Sequence, residues 1–393
     1  MVRSNYEMAV GLQLEPGCAR MTVCDSLSKE PRTVGQGEEG AEEDSLVLPD
    51  MNERVWKSAC GLGEPIQIFA DFVRDSLDRY IKGTELATLR IMVTVPRLEP
   101  LISQRVPQAL ELLGVARKNI YLQDYQTSFF HYTVNQRKEL WNGDVALFTF
   151  EGDNMVGRVM HFDWTRTPVL VSTRRIAAQK VTEKERDGRD EAHWAQEKDR
   201  LFFELLGKVF ERRSVVTSYL VGDFFDQSWA VRSFQFLVQR RHAFQGCSLF
   251  TKGACYGAMQ RAGMVREAEE LLYLGADIVR ENVGMQMRVL GKEMYYPLVK
   301  PGINWFEAHH ECEFIPEDET DIRILTRPME GGSEVTHILR LPGFPRRPDR
   351  ASRLRLTTYF TSARQCVIEV EDKGFGGLFK SSGKKWKRTI LLG

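Results

Sequence analysis

The sequence has no excess of either charge and no long uncharged apolar run. Lysine and arginine together number 54, as do aspartate and glutamate, so the formal net charge is zero. Without a global positive field we expect no binding to nucleic acid. No stretch approaches the roughly 20 apolar residues that span a bilayer, and the first residues lack the apolar segment of a secretory leader. We therefore expect a cytoplasmic protein with no membrane span.

Cysteine is scarce and scattered. The seven cysteines include no C-x-x-C pair, which argues against a disulfide framework and against structural zinc. The cluster that most resembles a metal site is EAHHEC, from Glu307 to Cys312. Adjacent His309 and His310 would point to opposite faces of a strand, so they would not share an ion. We predict no metal site.

The composition is that of a globular protein, with 42% apolar and 27% charged residues, and 393 residues are too many for one ordinary core. Strand and helix patterns alternate over residues 1–142, as in IQIFADFVRDSLDRYI, which begins at Ile66, and the buried strand LRIMVTVP that follows it. This alternation is typical of an α/β layer. The Gly- and Glu-rich residues 27–50 are predicted to form a mobile surface loop that ends in a short strand.

A strand–turn–strand segment begins each of two similar halves. AVGLQLEPGCARMTV turns at Pro16 and Gly17, and DVALFTFEGDNMVGRVMHFDW turns at Gly152. Helices and more strands follow each segment, so we predict two α/β lobes, residues 1–142 and 143–276. HAFQGCSLFTKG, which begins at His242, is predicted to be a loop before the last helix. Residues 277–393 read as short alternating strands, which predicts an all-β module such as a small sandwich.

The order of these motifs resembles that of the actin and DnaK-like ATPase superfamily. GLQL resembles that family's Gly-Ile-Asp-Leu, so Gln13 stands where the first strand carries an acid. In LFTFEGD, Thr149 occupies the acid position of the second hairpin. YLQDYQTSFFHY resembles the segment that connects the lobes, where we align Asp124 with the family's acid and keep Gln123 as the alternative. YLVGDFF resembles the strand and turn that approach adenosine.

The resemblance implies two ribonuclease-H-like lobes around a cleft that holds ATP, followed by the C-terminal β module. Backbone amides of a tight turn cradle phosphate, and carboxylates hold the cation that neutralises it. Gln13 and Thr149 supply hydrogen bonds but no negative charge. By position in the family's motifs, the nucleotide-binding candidates are Gln13, Glu15, Gly17, Thr149, Gly152, Asp153, Gly222 and Asp223.

The leading hypothesis is a degenerate member that binds nucleotide weakly or not at all. It would act through contacts with a protein partner, as a chaperone-like or assembly scaffold, because hydrolysis needs the missing metal-organising acids. One alternative is a working Mg-ATP hydrolase that recruits Asp124 as its catalytic acid, together with Asp153 and Asp223. Another is a filament-forming protein. Two expectations about the cofactor therefore stay open: ATP with Mg²⁺, or no cofactor.

Overall fold

The computed structural model describes residues 7–25, 28–37, 46–81, 83, 85–181, 191–265, 271–316, 321–348 and 350–393. The chain divides into two compact units, Met1–Tyr273 and Leu274–Gly393. The first is mixed α/β and the second is all-β. Among the residues described, no helix combines the length and the apolar character needed to cross a bilayer. All seven α-helices of these residues lie in the first unit.

The first sheet is built around the predicted N-terminal hairpin, which is confirmed. β1 (Met8–Glu15) pairs antiparallel with β2 (Cys18–Asp25), and β2 pairs with β3 (Arg32–Val34). β4 (Arg90–Val95) and β5 (Ile120–Asp124) continue the sheet parallel to β1, which gives the order β3-β2-β1-β4-β5. The middle residues of β1 and β2 are all buried, as expected for a sheet covered on both faces. The helices of this half are α1 (Glu53–Cys60), α2 (Ile66–Tyr80), α3 (Pro100–Leu112) and α4 (Tyr125–Val134).

The second sheet repeats this strand order. β6 (Asp144–Glu151), β7 (Asn154–Asp163) and β8 (Val169–Lys180) form an antiparallel meander. β9 (Val215–Val221) and β10 (His242–Gly246) lie parallel to β6 on its other side. The order is β10-β9-β6-β7-β8-β11, so only the short β11 (Leu271–Tyr273) goes beyond the plan of the first sheet. The helices of this half are α5 (Glu191–Phe210), α6 (Val231–Leu237) and α7 (Leu249–Arg261).

The prediction of a loop over HAFQGCSLFTKG is wrong. Residues 242–246 form β10, and α7 begins at Leu249. β10 lies at the sheet edge and is largely exposed, so it lacks the alternation of apolar and polar residues that signals a strand. Ser248 precedes α7 but its side chain makes no capping hydrogen bond, so the usual signal for a helix start is weak.

The loop predicted for residues 27–50 is also interrupted by structure. Residues 32–34 form β3, in which Val34 is buried, and Gln36 pairs with Val47 in an isolated bridge. β3 is three residues long, too short for a periodic pattern to reveal. Residues 38–45, the acidic part of that predicted loop, lie outside the described residues, as do residues 182–190, which precede α5.

Helix α7 belongs to the second half of the chain but packs on the first sheet and on α4. The Thr251 hydroxyl donates to the carbonyl oxygens of Gly11 and Arg20 at 3.1 and 3.3 Å. A Cβ on Gly11 would lie 2.3 Å from the Thr251 oxygen, and a Cβ on Gly253 would lie 2.1 Å from the Ser128 oxygen. Glycine is therefore required at both crossings, because backbone approaches backbone.

The C-terminal unit consists of two four-stranded antiparallel sheets, with the orders β13-β12-β15-β16 and β14-β17-β18-β19. Val283 and Ile322 of the first sheet share a core with Leu356 and Ile368 of the second, which is the arrangement of a sandwich. The strands are β12 (Glu281–Val289), β13 (Lys292–Val299), β14 (His309–Phe314), β15 (Asp321–Pro328), β16 (Val335–Arg340), β17 (Arg353–Ser362), β18 (Gln365–Gly374) and β19 (Lys385–Leu391).

Candidate functional site

The two hairpin turns contain glycines in the conformation that the turns require. Pro16 and Gly17 connect β1 to β2, and Gly17 has φ 75°. Gly152 and Asp153 connect β6 to β7, and Gly152 has φ 58°. A Cβ at either glycine would meet no atom within 4 Å, so the positive φ and not crowding explains the residue type.

Gln13 is held by a hydrogen-bonded chain that begins on β1 and passes through α4. Its Nε2 donates to the Tyr125 hydroxyl at 3.2 Å, and that hydroxyl donates to Glu15 Oε2 at 3.2 Å. The Tyr125 ring stacks on Phe250 of α7, with ring centroids 4.1 Å apart. Burial raises the pKa of Tyr125 well above its ordinary value, so the hydroxyl stays neutral. The position that the resemblance aligns with the first acid therefore holds a buried amide, which Tyr125 fixes in place.

A row of buried polar side chains crosses the first sheet at this level. Strand register places Arg20, Gln13, Thr94 and Gln123 side by side on β2, β1, β4 and β5. Within the described part of the chain, Arg20 Nε, Gln13 Oε1, Thr94 Oγ1 and both amide atoms of Gln123 have no hydrogen-bond partner. Arg20 Nη1 donates to Cys18 Sγ at 3.1 Å and lies 3.7 Å from Glu15 Oε1. The row offers a buried guanidinium where the resemblance implies metal-binding acids.

The second hairpin repeats this combination of a neutral residue, a glutamate and an arginine. Thr149 donates its hydroxyl hydrogen to Glu151 Oε1 at 2.6 Å and accepts from Arg158 Nη1 at 3.0 Å. Arg158 also binds Glu151 through both Nη atoms, at 2.5 and 3.0 Å. Burial alone would raise the pKa of Glu151, but the hydrogen bonds from Arg158 and Thr149 outweigh it and lower the pKa. The second acid position is thus closed into an ion-paired network.

Asp124 is the last residue of β5, the edge strand of the first sheet. It is 4% exposed and caps α4, because Oδ1 accepts from Thr127 N at 2.8 Å and from Thr127 Oγ1 at 2.6 Å. Burial raises the pKa of Asp124 in spite of those bonds, and the charge of Arg158 acts in the opposite direction. Asp124 therefore interacts electrostatically with Arg158 of the second hairpin, while the next residue, Tyr125, forms a hydrogen bond with Glu15 of the first. The alternative alignment, Gln123, instead faces Gly257 of α7, where a Cβ would lie 3.0 Å from Gln123 Oε1.

Asp223 follows the end of β9 and lies near the first hairpin. Burial raises the pKa of the Cys18 thiol, and the charges of Glu15 and Asp223 raise it further, so Asp223 lies near the first turn. Cys247 Sγ donates to Asp223 Oδ1 at 2.8 Å. Gly222 has φ 104°, and its amide donates to the carbonyl oxygen of Gly246 at 3.3 Å. Gly17, Gly152 and Gly222 thus all lie at the carboxyl ends of strands in the two sheets.

The remaining candidate, Asp153, is exposed in the second turn and its backbone oxygen accepts from Val181 N. Over the residues that the structure covers, no group of three or more His, Cys, Asp and Glu side chains could hold a metal ion. A cavity of about 900 Å³ lies in the C-terminal unit, lined in part by Met285, Met287 and Phe314. None of the predicted site residues lines that cavity.

Sequence reasoning missed Arg20, Tyr125, Glu151 and Arg158. A comparison of the two hairpins could have found three of them. GLQLEPGCAR and LFTFEGDNMVGR each contain a neutral polar residue, a glutamate two positions later, a glycine turn and an arginine on the returning strand. Tyr125 gives no such signal, because its role depends on where α4 begins.

The fold is that of a mixed α/β unit followed by an all-β C-terminal unit. The chain belongs to the family of unknown function DUF5716, since the model of that family's C-terminal part matches residues 52–276. A second model, the domain of unknown function DUF8552, matches residues 278–392. The two matches meet close to the boundary between the compact units. The hairpin of β1 and β2 precedes the matched residues.

Among solved structures, the chain is similar to the crystal structure of a ROK family transcriptional regulator, a homologue of the E. coli MLC protein. The two chains are 7% identical, and the alignment covers 65% of this chain and 79% of the other, with a TM-score of 0.42. A search of curated proteins finds no match.

Proposed function

We propose that the first unit is a two-lobed domain of the actin and DnaK-like type whose crevice does not hydrolyse ATP, and that the protein works as a scaffold through protein contacts. The repeated strand order supports the two-lobed fold. Each sheet has a central first strand, two antiparallel strands on one side and two parallel strands on the other. The candidate residues lie where such sheets place ligands, beyond the carboxyl ends of the parallel strands.

One observation carries the proposal. At both hairpins the position of the metal-organising acid holds a neutral residue, and an arginine from the returning strand lies close to it. Arg158 donates directly to Thr149, while Arg20 is paired in register with Gln13. A guanidinium repels Mg²⁺, and the nearby glutamates are engaged by these same arginines. The residues present do not fit a magnesium-nucleotide complex.

The acids that could replace them have other roles. Asp124 caps α4, so its Oδ1 already accepts hydrogen bonds from Thr127, and burial raises its pKa, which disfavours the charged form that a hard cation binds. Asp223 accepts a hydrogen bond from Cys247. The rival proposal, an active ATPase, is favoured by one observation: the charge of Arg158 acts on Asp124, and the charge of Asp223 acts on Cys18, so each acid is close to one hairpin. It requires these acids to give up their present contacts.

The test is calorimetric titration of the full chain with Mg-ATP, paired with a phosphate-release assay. We expect no turnover above that of a protein-free control and no micromolar binding. Removing metal-organising carboxylates costs several kcal/mol of transition-state stabilisation, which is enough to make hydrolysis undetectable.

Two variants make the result decisive. Asp124→Ala removes both the charge and the cap, whereas Asp124→Asn removes the charge but keeps an oxygen that can accept from Thr127. Micromolar binding with turnover that both variants abolish would overturn the proposal in favour of an active ATPase. Turnover lost in the alanine variant alone would trace the effect to the helix cap, and the proposal would still fail because the wild type turned over.

A further inference from the structure

A cluster of basic side chains lies at the amino-terminal ends of β9 and β10, at the opposite end of the sheet from Gly222. Two Arg-Arg pairs occur there. Residues 212–213 are separated from β9 by Ser214, and residues 240–241 directly precede β10. Because β9 and β10 are parallel neighbours, with His242 opposite Thr217, the two pairs lie at the same end of adjacent strands, offset by three residues in register. The charge cluster, which we call the basic end, comprises Lys208, Arg212, Arg213, Arg240 and Arg241.

The second arginine of each pair has a structural role. Arg213 Nη1 donates to the carbonyl oxygens of Lys208, Val209 and Glu211 at 3.1 to 3.2 Å, and so closes the end of α5. Arg241 Nη1 donates to Phe236 O at the end of α6, at 3.4 Å. Basic residues commonly stabilise helix C-termini in this way. These helix-end contacts are sufficient to explain why Arg213 and Arg241 are present.

The first arginine of each pair has no such role. Arg212 and Arg240 are exposed, and neither forms a hydrogen bond or an ion pair with any residue in the described ranges. Both have positive φ, 55° and 57°, where glycine is favoured and an arginine is strained. Two adjacent turns thus keep a charged side chain at a conformational cost, which points to a role in binding.

Acids do not neutralise this end. Glu211 is exposed on the same turn as Arg212, and Asp144, which is opposite Val215 in register, is paired with His161 at 2.7 Å. The five cations of the basic end outnumber these two acids. In a chain of zero net charge this is a local positive field, and its range is about 8 Å at physiological salt.

β10 provides an unpaired strand edge beside these arginines. Among the strands that the structure describes, β10 is the terminal strand of its sheet and pairs with β9 alone. His242, Phe244 and Gln245 are exposed, and no proline or lysine interrupts the strand, although such residues usually protect an edge. Phe244 is 43% exposed while its ring stacks on Tyr219 at 5.4 Å, which leaves an aromatic surface in the middle of the edge.

We propose that β10 and the basic end bind an extended acidic segment of a partner protein. The segment would add to the free edge of β10 through main-chain hydrogen bonds and place an apolar side chain on Phe244. Its acidic residues would lie at one end, against Arg212 and Arg240. A strand edge of five residues favours a peptide over a nucleic acid backbone, because a peptide can pair with its amide and carbonyl groups.

The acidic segment would be the partner chemistry of the proposed scaffold. The inference rests on the proposed function in one respect, which is that the partner is a protein. The surface is at the opposite end of the sheet from the crevice, so the nucleotide titration and the experiment below can fail independently.

The experiment measures fluorescence anisotropy of a labelled ten-residue peptide, with four acidic residues followed by alternating valine and threonine, on the full chain. We expect binding that weakens as salt is raised. The double variant Arg212→Gly with Arg240→Gly should weaken binding at least tenfold. Its melting temperature should stay unchanged or rise, because glycine relieves the positive-φ strain. Asparagine at both positions, which also tolerates this conformation, is a second pair that should give the same loss.

Three controls separate the parts of the proposal. Arg350→Gly removes an exposed arginine that also has positive φ, 62°, but lies in the other unit, so it should leave binding unchanged. The same peptide with its acids changed to amides should not bind. The acidic peptide with alternate amides N-methylated should bind at least tenfold more weakly, because it cannot pair with a strand edge.

Several outcomes would overturn the proposal. One is the absence of measurable binding to the acidic peptide. Another is equal binding of the N-methylated peptide, which would exclude strand addition. A third is a single-stranded oligonucleotide that binds more tightly than the peptide and is lost in the glycine double variant, since that would assign the surface to nucleic acid.

Discussion

The same glycine-to-alanine change should have opposite effects at two helical positions of the first unit. Gly253 lies in α7 where it crosses α4, and Gly207 lies on the exposed side of α5. At Gly207 an added Cβ would meet no atom within 4 Å. At Gly253 it would lie 2.1 Å from the Ser128 oxygen and 2.8 Å from the Ser128 carbonyl carbon, both of which are backbone atoms.

The sizes of the two effects follow from these contacts. Alanine is favoured over glycine in a helix by about 0.5 to 1 kcal/mol, and Gly207→Ala should gain that amount. Gly253→Ala gains the same propensity, but ordinary contact begins at 3.4 Å, so the α4 and α7 backbones must separate. Overpacking of a rigid core typically costs about 1 to 3 kcal/mol, and backbone cannot rotate away as a side chain can. A cost at the upper end of that range, less the gain of about 0.5 to 1 kcal/mol, gives an expected net loss of about 2 to 2.5 kcal/mol.

The assay is urea unfolding followed by far-UV circular dichroism. Every α-helix in the described ranges belongs to the first unit, so the helical signal reports on that unit. The midpoint should move up for Gly207→Ala and down for Gly253→Ala with similar slopes. Equal shifts in the same direction would refute the assignment of the α4–α7 crossing as a close backbone contact.

Other predictions concern protons and ion pairs. Burial lowers the pKa of His131 to about 4 from 6.5, so the first unit should lose stability as pH falls from about 6.5 to 4; His131→Gln should remove this slope in urea titrations. In the second unit, burial would raise the pKa of Asp372, but hydrogen bonds from Arg347 and Ser382 outweigh it and lower the pKa below 3.8. The ionised carboxylate should therefore stabilise the unit above about pH 4, and this stabilisation should decline at lower pH. Arg347→Met removes the ion-pair partner that lies 2.7 Å from Asp372, a residue that is 0% exposed. In thermal unfolding of that unit, the variant should lose about 3 to 5 kcal/mol of stability. A smaller loss than in Asp372→Asn would contradict this prediction. Arg158→Leu should raise the pKa of Glu151 in an NMR titration, and an unchanged value would argue against the ion pair.

Both hairpins could be predicted because local chemistry determines them. Pro16 and Gly17 define the first turn, Gly152 marks the second, and apolar residues fill the strands on either side. The long amphipathic helices were equally accessible, since Phe69, Phe72 and Leu77 lie at helical spacing and are buried. In these segments the local pattern and the tertiary environment agree.

The missed elements depend on contacts distant in sequence. β10 is recognisable only once β9 lies beside it, because its own residues are polar or exposed. The start of α7 is fixed by packing on β1 and α4, not by a capping side chain. The arginines of the crevice were missed for a related reason. Arg20 and Arg158 look like ordinary strand residues until register places Arg20 next to Gln13 and a hydrogen bond connects Arg158 to Thr149.

The position of α7 on the first sheet affects how the chain can fold during synthesis. The contact from Thr251 to Gly11 spans 240 residues, so the face of β1 that α7 covers cannot be completed until almost the whole first unit has been made. At 5 to 20 residues per second, the ribosome needs roughly 10 to 50 s for that length. During this time Ala9 and Met92, which α7 later buries, are exposed on an unfinished sheet. A nascent chain of this protein would therefore be a natural substrate for ribosome-associated chaperones.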